Sequence, residues 1–298
     1  MKIIECRWAL VTLERKRIIL ALKNEEGREA FSEISPYPPL SKETFEEALE
    51  QLKKVAPLLT STALDLSTLN LFPSVAFGIK AGFDQLTDPM PAFSCSFSAL
   101  FQGSVKEIYR QAQRAFKWGI KSAKLKIGFL SLEEAKELVT QLKSLFYLRI
   151  DLNERWEAKE VFRFFSSYAP NDFDYIEDPL KDPVKLLSFL LPFAIDAKGE
   201  TAPSLPMKAL VVKPTILKQI PATKKPIVLS SCFDTGLNIF HLATLAKRLN
   251  LQLPQGLGPY LFLENDILEQ QFTVQNGLIQ FPEKISLDKK IYASLSPF

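Results

Sequence analysis

Apolar and polar residues alternate with period two over residues 122–128, which sets Ala123, Leu125 and Ile127 on one face of a predicted strand and Lys124 and Lys126 on the other. Ser131 followed by Glu134 makes a capping box, and Ala135, Leu138, Val139 and Leu142 then recur at helical spacing. Strand, short loop and amphipathic helix form one βα unit. Strands of such sheets are buried on both faces, so two lysines on one face need anionic company. The alternative is an edge strand with a solvated basic face.

The first third of the chain has a different rhythm. Residues 8–13 and 17–22 predict two strands of a hairpin or meander, and residues 29–33 a third. Pro36, Pro38 and Pro39 break the chain into a loop over 35–40, a candidate for closing over a site. A helix follows Ser41, with Phe45, Ala48, Leu49 and Leu52 on one face, and a second covers 75–86. Strands first and helices after predict an α+β unit over about residues 1–93.

From residue 94 strands and helices alternate. Residues 146–153 place Arg149, Asp151 and Asn153 on one face and Leu148, Ile150 and Leu152 on the other. A helix is expected over 157–168, a strand over 173–177, and a helix from Asp182 and Pro183 through Leu191. Further strands are expected over 192–196, 208–213 and 226–231, and a helix over 236–249. The polar residues at successive strand ends are Lys126, Asp151, Glu177, Asp196, Lys213 and Ser230, separated by 25, 26, 19, 17 and 17 residues. In a parallel (β/α) barrel such ends converge on one mouth, where active sites sit. A doubly wound sheet is the competing architecture, but no glycine-rich first turn accompanies it. Residues 272–281, with Asn276 and Gly277 between two apolar runs, predict a hairpin.

Composition narrows the chemistry. A chain of 298 residues, 47% hydrophobic and 24% charged, suits a barrel plus a smaller domain, and a net charge of +3 gives no reason to expect nucleic acid. Residues 1–5 do not read as a signal peptide, and the longest apolar run, 186–195, is too short to span a bilayer. Three scattered cysteines, Cys6, Cys95 and Cys232, fit a reduced, cytoplasmic setting. The single histidine, His241, is read as a packing or helix-surface residue, which leaves no serine triad and no histidine-rich zinc site. Lysines, carboxylates and a hard metal ion remain. Asp151, Glu177 and Asp196 offer oxygen ligands suited to Mg²⁺ or Mn²⁺. A lysine close to such a site can act as a base next to a carboxylate. A buried salt-bridge network of the same residues is the structural alternative.

Lys124 with Lys126, Asp151 with Asn153, Glu177 with Asp178 and Pro179, Asp196, and Lys213 with Pro214 and Thr215 resemble the enolase superfamily in its muconate-lactonising subgroup, with the Lys-x-Lys signature. The resemblance extends through Ser32–Pro36, 41–47, 73–78, 148–156, Ser230 and Ser231. It implies a (β/α)7β TIM-like barrel over 94–262, under an α+β capping domain made of 1–93 and completed by about 263–298. It implies Asp151, Glu177 and Asp196 as ligands of Mg²⁺, Lys126 as general base, and Lys213 as the cation facing it. Lys124, Arg149, Asn153, Ser230 and Ser231 would contact a small carboxylate substrate. The implied reaction is syn dehydration of 2-succinyl-6-hydroxy-2,4-cyclohexadiene-1-carboxylate to o-succinylbenzoate, on the route to menaquinone. Racemisation of N-acylamino acids or epimerisation of dipeptides, with one lysine on each face, is the nearest alternative, and a non-catalytic binding module is another. Two positions depart from the pattern: Ala197 follows Asp196 where relatives usually place an acid, and Asn238 replaces a glycine. Both are expected on the substrate side. The oligomeric state is not legible.

Overall fold

Strands β1 (Ile3–Thr12) and β2 (Lys16–Asn24) pair as an antiparallel hairpin, and β3 (Glu29–Ile34) extends it. They belong to a computed structural model that describes residues 1–38, 40–60, 69–199 and 204–298. Helix α1 (Phe45–Leu59) starts where Thr44 and Glu47 close a capping box, and α2 (Pro73–Thr87) starts on a proline. Both helices bury one face on the sheet, with Leu52, Val55, Val75 and Ile79 packed against Ile18, Leu20 and Leu22. Pro39, within the expected 35–40 loop, lies outside the described residues.

The chain then enters a barrel through β4 (Phe93–Ser96) and β5 (Ser98–Phe101). Next come α3 (Val105–Lys117), β6 (Ser122–Lys126), α4 (Leu132–Leu142), β7 (Tyr147–Asp151) and α5 (Ala158–Phe165). They are followed by β8 (Tyr175–Glu177), α6 (Pro183–Leu186), β9 (Phe193–Asp196), β10 (Ala209–Val212), β11 (Ile227–Leu229) and α7 (Gly236–Arg248). The tail supplies β12 (Thr273–Gln275), β13 (Leu278–Phe281), α8 (Lys289–Ala293) and β14 (Ser296–Pro297).

Among the described residues, strands β11-β10-β9-β8-β7-β6-β5 form one parallel seven-stranded sheet. Residues 255–256 close it: Ser98 N–H donates to the Gln255 carbonyl at 2.9 Å, and Gly256 N–H to the Leu229 carbonyl at 2.7 Å. This is the expected parallel TIM-like barrel, with an α+β cap beside it, although among the described residues fewer helices accompany its strands than a (β/α)7β repeat implies. Strand β14 pairs with β1, β13 pairs with β4 and β12 with β13, so tail residues join both smaller sheets.

Side chains of α3, α4, α5 and α7 pack on the outer faces of the strands, where Leu125, Ile150 and Ile176 are fully buried. Tyr175, Ala194, Ala209, Val211 and Val228 form a separate cluster. They are small apart from Tyr175, which leaves room above them. The helix expected through Leu191 is a single turn, α6, and no helix lies between β9 and β11 among the described residues. Spacings of 17 residues cannot hold a strand, two loops and several helical turns. The first barrel unit, β5 and α3, escaped the sequence pattern because all four residues of β5 are buried and none alternates.

Charges hold the cap to the barrel. Arg17 and Glu33, both fully buried, pair at 2.9 Å, and the Thr235 hydroxyl donates to Glu33 at 2.6 Å. His241, on α7, lies 2.7 Å from the Phe31 carbonyl. It is a packing residue at the domain seam, and burial pushes its pKa down to about 4.

Candidate active site

Parallel register aligns the strand ends: Lys126 stands opposite Asp151, and Asp151 opposite Glu177. Side chains alternate along each strand, so Lys124 and Lys126 point to the barrel interior while Ala123 and Leu125 face the helices. Lys124, Lys126, Arg149, Asp151, Asn153, Glu177, Asp196, Lys213, Ser230 and Ser231 all line one cavity of about 340 Å³. Gly128 lets the β6–α4 loop cross the end of β7, because a Cβ there would stand 2.0 Å from the Leu152 carbonyl oxygen. A Cβ on Gly256 would meet the Ser230 hydroxyl at 2.7 Å.

The three lysines differ in company. Lys124 Nζ is 2.7 Å from Glu177 and 2.9 Å from Asp151. Burial alone would lower its pKa, but these two carboxylates hold it well above the ordinary lysine range. Lys213 is bound to Asp196, and against the same opposing effect of burial Asp196 and Glu177 hold its pKa up. Lys126 makes no hydrogen bond or ion pair among the described residues, and burial followed by the Lys124 charge pushes its pKa down. One amine of three is therefore inclined to release its proton.

The carboxylates are matched to these cations. Lys124 and Lys126 overcome the burial of Asp151 and hold its carboxyl low, whereas burial keeps Glu177 raised, with Asp151 and Asp196 adding repulsion. Among the described residues no three carboxylate, thiol or imidazole groups stand ready as a metal cage. The ion pairs explain why: ammonium groups occupy the carboxylate faces. The donor set nonetheless fits a hard dication. It is all oxygen, from adjacent strands, and Asp196 Oδ1 is buried with no hydrogen-bond partner among the described residues.

Arg149 occupies the cavity floor. Its Nε donates to Asp174 at 2.7 Å and Nη1 to the Pro254 carbonyl at 2.6 Å, and the guanidinium stacks on Tyr175. Among the described residues only Nη2 lacks a partner, so any contact with a substrate falls to that atom. Asn153 sits at φ +48°, its N–H donating to Asp151 at 2.9 Å. Ala197 and Asn238 do not line the cavity. Asn238 is fully buried at the start of α7 and reaches toward Asp234 at 3.5 Å, behind the wall rather than on the substrate side.

Sequence reasoning missed Asp178, Cys232, Phe233 and Pro259, which also line the cavity, whereas Tyr37 and Leu40 belong to the 35–40 loop expected to close over a site. Asp178, at φ +43°, accepts the Asp196 N–H at 3.0 Å, and burial beside Glu177 pushes its carboxyl up to about 7. The only sequence signal for it is an acid between a strand-end glutamate and Pro179. Phe233 belongs to an irregular segment and carries no periodic signal.

Two family models match the chain: "MenC, N-terminal domain" over residues 10–86 and "Enolase C-terminal domain-like" over 107–189. The chain is 24% identical over 284 residues to an o-succinylbenzoate synthase of Haemophilus influenzae, covering 83% of this chain and 86% of that one. It is 28% identical over 268 residues to that of Pasteurella multocida, covering 78% of each. Among solved structures, the L-Ala-D/L-Glu epimerase from Bacillus subtilis superposes with a TM-score of 0.78 at 16% identity, over 97% of this chain and 100% of that one. The o-succinylbenzoate synthase from Thermosynechococcus elongatus BP-1, complexed with Mg in its active site, gives 0.65 at 20% identity over 86% and 91%.

Proposed function

Because this chain is an enzyme of the enolase superfamily, similar over most of its length to o-succinylbenzoate synthases, we propose that it dehydrates 2-succinyl-6-hydroxy-2,4-cyclohexadiene-1-carboxylate to o-succinylbenzoate. The observation that carries the chemistry is the inequality of the lysines: among the described residues Lys126 is unpaired and has a lowered pKa, while Lys124 and Lys213 are paired and held charged. The unpaired amine takes the proton α to the ring carboxylate. The same ammonium, on the same face, then gives a proton to the departing hydroxyl. Lys213, a fixed cation, faces the charge that develops during proton removal. Asp151, Glu177 and Asp196 would hold Mg²⁺, or Mn²⁺ in its place, and the bound ion supplies positive charge beside the substrate carboxylate. Lys124 then has two roles in the chain's own economy of charge: it neutralises Asp151 and Glu177, and it lowers the pKa of Lys126.

Asn153, Ser230 and Ser231 are the polar groups left to orient the substrate, with Arg149 reaching it only through Nη2. Residues 1–93 and about 263–298 form the capping domain in this reading, and 94–262 the catalytic barrel. No helix among the described residues is long and apolar enough to cross a membrane. A small-molecule partner and a cytoplasmic location go with the reading. Purified protein with Mg²⁺ should form o-succinylbenzoate from the dehydration substrate, and chelation should stop it reversibly. A second reading draws on Lys126 and Lys213 lining the same cavity from β6 and β10, as two-base proton transfer requires. Turnover of N-succinylamino acids without dehydration would select that racemase reading, and inactivity on both substrates a binding module.

A further inference from the structure

Phe233 follows the last polar pair of the barrel mouth in a backbone conformation that bulky residues avoid, φ +56°. A residue held in such a region needs surroundings that over-determine it. Here they come from the cap. The Arg15 guanidinium donates from Nη1 to the Cys232 carbonyl at 2.8 Å and the Phe233 carbonyl at 3.0 Å, and from Nη2 to Asp234 at 3.1 Å. Arg17 Nη2 donates to the same Phe233 carbonyl at 3.1 Å. Arg15 also lies over the Tyr37 ring at 4.8 Å, and the Ser35 hydroxyl donates to Asp234 at 3.2 Å.

This clamp fixes a large ring that remains 36% exposed. The exposed side faces two spaces. Phe233, Tyr37 and Pro259 line the lysine-bearing cavity and also a second groove of about 350 Å³ at the cap–barrel seam. The two aromatic rings stand 6.0 Å apart, so they form a partition between the spaces. The cavity is thus polar at its carboxylate and lysine end and aromatic at its cap end.

Resting on the dehydratase reading, we propose that Phe233 is a specificity-determining residue that packs against the non-reacting succinyl arm of the substrate, and that Arg15 is the positioning residue that aims it. The ring carboxylate is drawn to the lysine end. The arm's two methylenes then run toward the aromatic end, where an apolar wall is the matching surface. Arg15 touches neither the arm nor the reacting atoms and acts only through the placement of Phe233.

The test uses the full-length enzyme loaded with Mg²⁺ and titration calorimetry with two probes, o-succinylbenzoate and benzoate, which share the ring carboxylate and differ in the arm. Phe233→Ala should weaken o-succinylbenzoate binding about tenfold while leaving benzoate affinity within about twofold, a difference that loss of folding cannot produce. Arg15→Met should weaken o-succinylbenzoate in the same selective way, and the double variant should be no worse than Phe233→Ala alone. Equal losses for both probes, no loss for either, or additive losses in the double variant would overturn the proposal. Absence of turnover and of o-succinylbenzoate affinity in the unmodified enzyme would instead overturn the dehydratase reading, so the two failures are separable.

Discussion

Acid should weaken this fold through His241, and the size of the effect follows from its surroundings. The imidazole is buried at the seam between α7 and β3, its Nε2 2.7 Å from the Phe31 carbonyl, with Arg248 and Asp84 as the nearby charges. Burial, outweighing that hydrogen bond, depresses its pKa from 6.5 to about 4. The unfolded chain therefore binds a proton that the folded chain refuses. Stability is fully present above about pH 6.5 and falls as the pH drops toward 4. At pH 4.5 the unfolded state holds a protonation advantage of about 2–3 kcal/mol that is absent at pH 7.5. His241→Gln retains an N–H for the Phe31 carbonyl and does not titrate. Urea unfolding of both proteins at the two pH values isolates the contribution, because losses from other groups cancel in the difference. The unmodified protein should lose about 2–3 kcal/mol more than the variant on acidification. Parallel losses in the two proteins would refute the account.

Three further outcomes are expected. Lys126→Ala should lower kcat/KM for dehydration by at least about a thousandfold in steady-state assays while thermal unfolding stays within a few degrees, and retained turnover would remove Lys126 as the base. Arg17→Met leaves Glu33 as a buried, uncompensated charge and should cost about 3–5 kcal/mol in denaturant unfolding, largely recovered by adding Glu33→Gln; unchanged stability of the single variant would show the pair to be inert. Gly128→Ala places a Cβ 2.0 Å from the Leu152 carbonyl oxygen. It should lower stability by about 1–3 kcal/mol and kcat as well, since Leu152 adjoins Asp151; a neutral result in both assays would show that the loop yields freely.

The interior-facing lysines and acids were legible because strand alternation is local. Once Lys124 and Lys126 share a face, register with β7 and β8 brings Asp151 and Glu177 beside them. The capping box at Ser131 likewise marked the start of α4 at Leu132. What could not be read was pairing at long range. Nothing in the sequence links Arg17 to Glu33 and Thr235, or Arg15 to Phe233, because those contacts depend on how the cap is seated. The distribution of the ammonium groups was equally hidden: the sequence offers three lysines, and only the packed site distinguishes the unpaired Lys126 from its two partnered neighbours. Arg149 shows the limit of face assignments. Alternation turned it inward, as expected, yet two of its nitrogens serve the floor at Asp174 and Pro254.

Strand β14 pairs Pro297 with Arg7 and Ser296 with Trp8, and the ring of Phe298 stacks on Trp8 at 5.4 Å. A ribosome making this chain thus releases the first strand long before its outer neighbour exists. Until then the β1 edge stays open to unwanted pairing, with the high contact order that slows folding. The outer seam of the cap has to wait until residues 296–298 have been made.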